Sequence, residues 1–146
     1  MADKNLIELK ALRILAIREH SVKELRKKLF SKFSDSKSIE EVLIDFQSKN
    51  YLSDKRFAKM YIDMRSKKGF GPLRIRSELA DRGIDRDIVE PELKRLSEDW
   101  PSLLKKTASS RFGCTRENDT ENMSKMVRFL NYRGFPESLI RRYLLD

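Results

Sequence analysis

The window from Met64 to Arg76, MRSKKGFGPLRIR, holds Arg65, Lys67, Lys68, Arg74 and Arg76 and no Asp or Glu. Such a run suits an oxyanion. Arg grips a phosphate or a carboxylate through two parallel N–H donors, and Lys adds a compact charge. Its centre, Gly71-Pro72, reads as the cap and first residue of a helix, whose unsatisfied N–H groups attract the same anions. A second cluster comprises Arg18, Lys23, Arg26, Lys27, Lys28 and Lys32, interrupted by Glu19 and Glu24. Glu24 and Lys28 stand at i,i+4, so part of this cluster reads as an ion-paired, solvated helix face. A third set is Lys125, Arg128, Arg133, Arg141 and Arg142. The candidate partner-binding residues are therefore Arg65, Lys67, Lys68, Arg74, Arg76, Arg18, Lys23, Arg26 and Arg133.

Covalent chemistry finds little support. The chain has no phosphate-loop, dinucleotide-fingerprint, zincin or nucleophile-elbow motif. Glu40-Glu41, Asp85 with Asp87 and Glu90 with Glu92 could serve a metal-dependent nuclease. They read better as helix-start acids and ion-pair partners, with no basic residue spaced with them in a nuclease pattern. His20 is the only histidine and sits at the end of the first helix, where a cation suits the helix dipole. The single cysteine, Cys114, has no Cys or His neighbour at metal-ligand spacing and cannot form an internal disulfide. No catalytic residue, metal or cofactor is expected, and the chain does not read as an enzyme.

The elements that must position these cations are helical. Leu6, Leu9, Leu12, Leu15 and Ala16 recur at three- and four-residue steps and mark a first amphipathic helix. Ser21-Val-Lys-Glu24 is a capping box ahead of Leu25 and Leu29, and Ser38-Ile-Glu-Glu41 repeats it ahead of Val42, Leu43 and Phe46. The next start falls at Ser53 or Asp54, with Phe57, Tyr61 and Met64 inside. Gly71-Pro72 leads into Ile75 and Leu79, Gly83 supplies a left-handed cap, and Asp85 opens a helix carrying Val89 and Leu93. Phe112 to Glu121, FGCTRENDTE, reads as a loop. Phe57, Tyr61, Phe129 and Phe135 fall on apolar stripes, whereas Phe70 and Tyr132 are candidates for exposure.

The sequence also matches itself. Shifted by 50, Leu25, Leu29, Ile39 and Leu43 fall on Ile75, Leu79, Val89 and Leu93; a further 51 carries Ile75, Leu79 and Gly83 to Met126, Leu130 and Gly134. Arg82-Gly83-Ile84 is echoed by Arg133-Gly134-Phe135. In each unit two helices match well and the helix before them matches poorly. The expected fold is all-α: three tandem three-helix repeats over 1–50, 51–100 and 101–146, forming an elongated body able to curve.

Composition bounds the setting. The 146 residues carry 32 Lys and Arg against 23 Asp and Glu, a net charge of +9. By repeat this is +3 (11 basic, 8 acidic), +2 (12, 10) and +4 (9, 5), so no part is a basic tail. One cysteine, no apolar run near the roughly 20 residues that span a bilayer, and a polar start without a signal peptide point to the cytoplasm. No heptad seam or surplus apolar stripe calls for a second copy, and a monomer is expected.

Three segments together resemble the RecX family of bacterial regulators of the RecA recombinase. They are ALRILAIREHSVKELRKKL (Ala11 to Leu29), YLSDKRFAKMYIDMRSKKGFGPLRIRSELADRGID (Tyr51 to Asp85) and VRFLNYRGFPESLI (Val127 to Ile140). The second is the most specific, with its SD-RFA start, KKG-GP turn and RGI end in family order, and the resemblance covers about residues 9 to 146. It implies tandem three-helix repeats and a non-enzymatic role. The partner would be RecA, held in the groove of its nucleoprotein filament, with weak direct contact to DNA. The effect would be inhibition of filament extension, ATPase, strand exchange and co-protease activity, and so modulation of DNA repair and the SOS response. The competing reading is a helix-turn-helix type DNA-binding module acting without RecA. Against it, Gln47 is the only glutamine and cations recur in every repeat, which favours backbone or protein-surface contact over base reading.

Overall fold

A computed structural model describes residues 3–113 and 120–145. Among the described residues the chain forms nine α-helices and no strand: α1 (Lys4–Ile17), α2 (Val22–Phe30), α3 (Ser36–Ser48), α4 (Asp54–Lys67), α5 (Pro72–Asp81), α6 (Arg86–Lys94), α7 (Trp100–Phe112), α8 (Thr120–Tyr132) and α9 (Glu137–Leu145). The starts of α4, α5 and α6 each lie 50 residues after those of α1, α2 and α3. The weakly matching first helix of a repeat thus keeps the same register as its partners.

Local signals explain most boundaries. Ser21 and Glu24 form the reciprocal capping box of α2. Ser53 Oγ accepts from the Arg56 N–H at the start of α4. Pro72 opens α5 after Gly71. At α3 the expected Ser38 box is replaced: Asp35 is the cap, accepting from the Ser38 N–H at 3.1 Å and the Ser38 hydroxyl at 2.8 Å. Asp takes the N-cap because its carboxylate can serve both donors at once.

The chain divides into two compact units, Met1–Met60 with Leu79–Ile88, and Tyr61–Glu78 with Val89–Asp146. In the first unit α1, α2 and α3 pack on one another around Ile7, Ala11, Leu25, Leu29, Ile39, Val42, Leu43 and Phe46. The buried face of α1 is Ile7, Ala11 and Ile14, while Leu6, Leu9 and Leu12 are about half exposed. This corrects the leucine stripe expected from the sequence. A step of three turns the helix by only about 300°, so successive leucines drift around it, whereas Ile7, Ala11 and Ile14 stay in line. In α4, Met64 is likewise exposed, and Ala58 and Ile62 are buried beside Phe57 and Tyr61.

In the second unit α7, α8 and α9 pack together. Trp100, Leu104, Ala108, Met126, Leu130, Phe135 and Ile140 are buried, as are Ile62, Ile75 and Leu93 of the same unit. Trp100 satisfies its indole N–H on the Leu93 carbonyl at 3.3 Å. The expected Phe112 to Glu121 loop lies largely outside the described residues, Cys114 included; α7 continues through Phe112 and α8 begins at Thr120.

Two matching turns carry the RG signature. Gly83 and Gly134 adopt φ of +78° and +94°, open to glycine at little cost. Behind them Ile84 N–H donates to Leu79 O, and Phe135 N–H to Leu130 O, both at 3.1 Å. These are Schellman closures of α5 and α8, each followed by a buried side chain, Ile84 or Phe135. Gly83 lies against the Lys23 side chain, where an added Cβ would come within 2.8 Å, and Gly134 lies against Arg74.

Candidate functional site

Each predicted cation has a definite place, and most have a partner. In the first unit Arg18 pairs with Glu24 at 3.2 Å and donates to the Glu19 carbonyl at 2.7 Å. Lys23 donates to the Asp81 carbonyl at 3.1 Å. Arg26 clamps Glu40 through two parallel bonds of 2.8 and 3.1 Å. Glu24 is held by Arg18 and by Arg82 rather than by Lys28. Lys28 instead donates to His20 Nε2 at 2.7 Å.

That contact settles the state of His20. The ring is buried, and Nδ1–H donates to the Arg18 carbonyl at 2.9 Å, so Nε2 receives the Lys28 proton with its lone pair. Burial lowers the His20 pKa; the Arg18 carbonyl works against this, and the Arg18 and Lys28 charges reinforce it. His20 therefore closes the end of α1 as a neutral imidazole, where the sequence suggested a cation.

In the second unit the acid-free window meets acids from outside it. Arg65 grips Glu78 through bonds of 2.9 and 2.8 Å, and Arg74 reaches the same carboxylate at 3.2 Å. Tyr61 donates its hydroxyl to it at 2.9 Å. Burial pushes the Glu78 carboxyl up, but the bonds from Arg65, Tyr61 and Arg74 outweigh it and hold the pKa below the usual carboxylate range. Arg76 clamps Glu90 at 2.6 and 3.1 Å. This pair stands 50 residues after Arg26–Glu40 with the same bonding pattern, an internal repeat at the level of single atoms. Sequence spacing could not show it, because each acid lies 14 residues from its Arg.

Phe70 gathers Arg65, Arg74 and Arg133, whose guanidinium carbons lie 3.8, 4.7 and 4.6 Å from its ring centroid. Arg74 also covers the exposed Tyr132 ring at 4.8 Å. Cation–π contact lets three guanidiniums share a small space with one carboxylate among them. The turn is tied further by Gly71 N–H to Arg133 O at 2.7 Å and Leu73 N–H to Gly134 O at 2.9 Å. The Gly71 and Leu73 N–H groups at the start of α5 are thus already satisfied, and Pro72 has none to offer, so these do not form the free anion site suggested by the sequence.

What remains open is a cleft beside this turn. It has a volume of about 240 Å³ and is lined by Lys67, Lys68, Lys106, Arg111 and Arg133, with Thr107, Ser110 and Phe129. None of these five cations forms an ion pair among the described residues. Arg133 donates instead to the Lys68 carbonyl at 3.0 Å. Arg111 and Arg133 lie 5.3 and 4.9 Å from the half-buried Phe129 ring. Lys106 and Arg111 escaped the sequence reading because they lie on α7, far from the window along the chain, and join it only in three dimensions. Among the described residues no group of His, Cys, Asp and Glu could hold a metal, and no helix is long and apolar enough to cross a membrane.

The arrangement can be set beside known proteins. Family models for the first and second three-helix domains of RecX match residues 9–44 and 53–91. The regulatory protein RecX of Salmonella paratyphi A is 36% identical over 136 residues, spanning 86% of this chain and 82% of that protein. The chain belongs to the RecX family. The RecX of Serratia proteamaculans is 35% identical over 159 residues, spanning 94% and 95% of the two chains. In fold, the crystal structure of RecX from Lactobacillus salivarius matches 99% of this chain and 97% of its own, with a TM-score of 0.80 at 22% identity. The relatives are named regulatory proteins. Both RecX domain models end before α7, so the α7 side of the cleft, Lys106 and Arg111, lies beyond the matched segments.

Proposed function

We propose that the chain is a non-enzymatic regulator that binds RecA in its nucleoprotein filament and restrains recombinase, ATPase and co-protease activity. It would thereby modulate DNA repair and the SOS response. Membership of the RecX family over most of the chain carries this reading. The unpaired cations of the second unit support it, because a filament offers both DNA phosphates and protein carboxylates as counter-charges. Three repeats over 1–50, 51–100 and 101–146 would let one monomer touch successive filament subunits, and several weak contacts on one chain gain avidity together. Direct binding to DNA would be weak by comparison, and the setting would be the cytoplasm.

The test adds the chain to RecA, single-stranded DNA and ATP. Loss of ATPase activity at sub-stoichiometric protein is expected. No loss at equimolar protein, together with tight duplex binding without RecA, would replace this reading with the helix-turn-helix type module. Lys67→Glu with Lys68→Glu probes the contact, since neither side chain holds a carboxylate among the described residues. Arg65, Arg74 and Arg76 are unsuited to that purpose, because reversing them breaks the Glu78 and Glu90 clamps.

A further inference from the structure

The repeat offers an internal control for the cationic cleft. In the first unit, Arg56 pairs with Glu19 at 2.5 Å, and Glu24 takes Arg18 at 3.2 Å and Arg82 at 3.9 Å. Fifty residues on, Glu19 becomes Gly69 and Glu24 becomes Arg74, while Arg18 and Arg56 remain basic as Lys68 and Lys106. Arg82 of the second repeat becomes Arg133 of the third, 51 residues on. The correspondence holds in space. Gly69 sits against α7, where an added Cβ would come within 2.9 Å of Thr107 Oγ1, next in chain to Lys106. Both carboxylates have gone and all three cations have stayed. Two more cations have been added, since Lys67 and Arg111 stand 50 residues after the uncharged Ile17 and Tyr61.

The site in the first unit thus holds its own counter-charges, and its counterpart in the second unit does not. Five cations converge on one cleft of about 240 Å³ with no acid in its lining. Their mutual repulsion is unfavourable in the free protein and is relieved by a bound anion. Even the two carboxylates of the first unit, Glu19 and Glu24, would leave most of the charge unmatched. A nucleic-acid strand spreads its charges along an axis, whereas a condensed phosphate chain concentrates several in the space of this cleft. Lys67, Lys68 and Lys106 supply mobile charges and Arg111 and Arg133 fixed forks, a mixture suited to phosphate oxygens pointing in several directions. We infer that this cleft binds a condensed phosphate anion, either free or as the phosphate chain of a nucleotide. The inference goes beyond regulation of RecA and does not depend on it.

Calorimetric titration of the full chain, at about 0.15 M salt to suppress diffuse attraction, tests this with sodium tripolyphosphate and with ATP. Saturable binding of one anion per chain is expected. Lys106→Ala with Arg111→Ala should weaken it about tenfold or more, each lost contact being charge-assisted. Both residues are exposed on α7, and thermal melting checks that the pair still folds. The charge-matched control, Lys32→Ala with Lys37→Ala in the first unit, should leave binding within about twofold. Equal affinity for both anions identifies the bare phosphate chain as the ligand, and tighter ATP binding with the same dependence identifies the nucleotide. Absence of saturable binding at millimolar anion would overturn the inference, as would equal loss in the control. So would a single-stranded oligonucleotide binding through Lys106 and Arg111 where neither phosphate does. RecA is absent throughout, so either result leaves the regulatory reading to its own test.

Discussion

Glu78 is the residue on which the basic turn depends. It accepts from Arg65, Arg74 and Tyr61, and its side chain is only 19% exposed. Glu78→Gln leaves two clustered guanidiniums without their counter-charge. It should cost about 1–3 kcal/mol in denaturant unfolding, with the loss confined to the second unit in hydrogen exchange. His20 gives a prediction in pH. Its pKa is lowered in the folded state, so the unfolded chain binds more protons once the pH drops below the ordinary histidine value. Stability on this account is present above the ordinary histidine value and is lost as the pH falls from there through the lowered folded-state value. His20→Gln should flatten that part of the stability–pH curve. An unchanged slope would mean that another group sets it.

At the scale of elements, the closeness of the turns sets their tolerance. Gly71 has no unusual φ, yet a Cβ there would lie 2.6 Å from the Gly134 carbonyl carbon and oxygen. Gly71→Ala should therefore destabilise the second unit by about 1–3 kcal/mol through overpacking, whereas Ala at Gly113, which faces open space, should cost only its backbone strain. The starts of α2, α4, α5 and α6 and the Gly83 closure were legible in the sequence because capping is local chemistry over four or five residues, whereas α3 is capped at Asp35, ahead of the expected Ser38 box. The buried face of α1 was not, since leucine spacing alone does not say which of two adjacent stripes meets α2 and α3. The Arg26–Glu40 and Arg76–Glu90 clamps were also invisible, though each joins adjacent helices of one repeat. Both are partly exposed, so a double-mutant cycle on either should return about 1 kcal/mol or less.

For the whole molecule, the net charge of +9 is less informative than where it goes unpaired. The window Met64 to Arg76 is acid-free in sequence, but Glu78 and Glu90 enter it in space. The cations that line the cleft without an ion pair among the described residues are Lys67 and Lys68 of that window, with Arg133 from the third set and Lys106 and Arg111 from α7. Sequence reading located half the site because clustering along the chain is visible there, and missed the rest because α7 reaches the turn only through the fold. If a filament is the partner, the decisive property is preference for RecA assembled on DNA over either component alone. Co-sedimentation of the chain with RecA–single-stranded DNA filaments, with free RecA and with DNA alone measures this directly. The account predicts pelleting with filaments at sub-stoichiometric ratios and little with the separate components. Pelleting with DNA alone to the same extent as with filaments would contradict it.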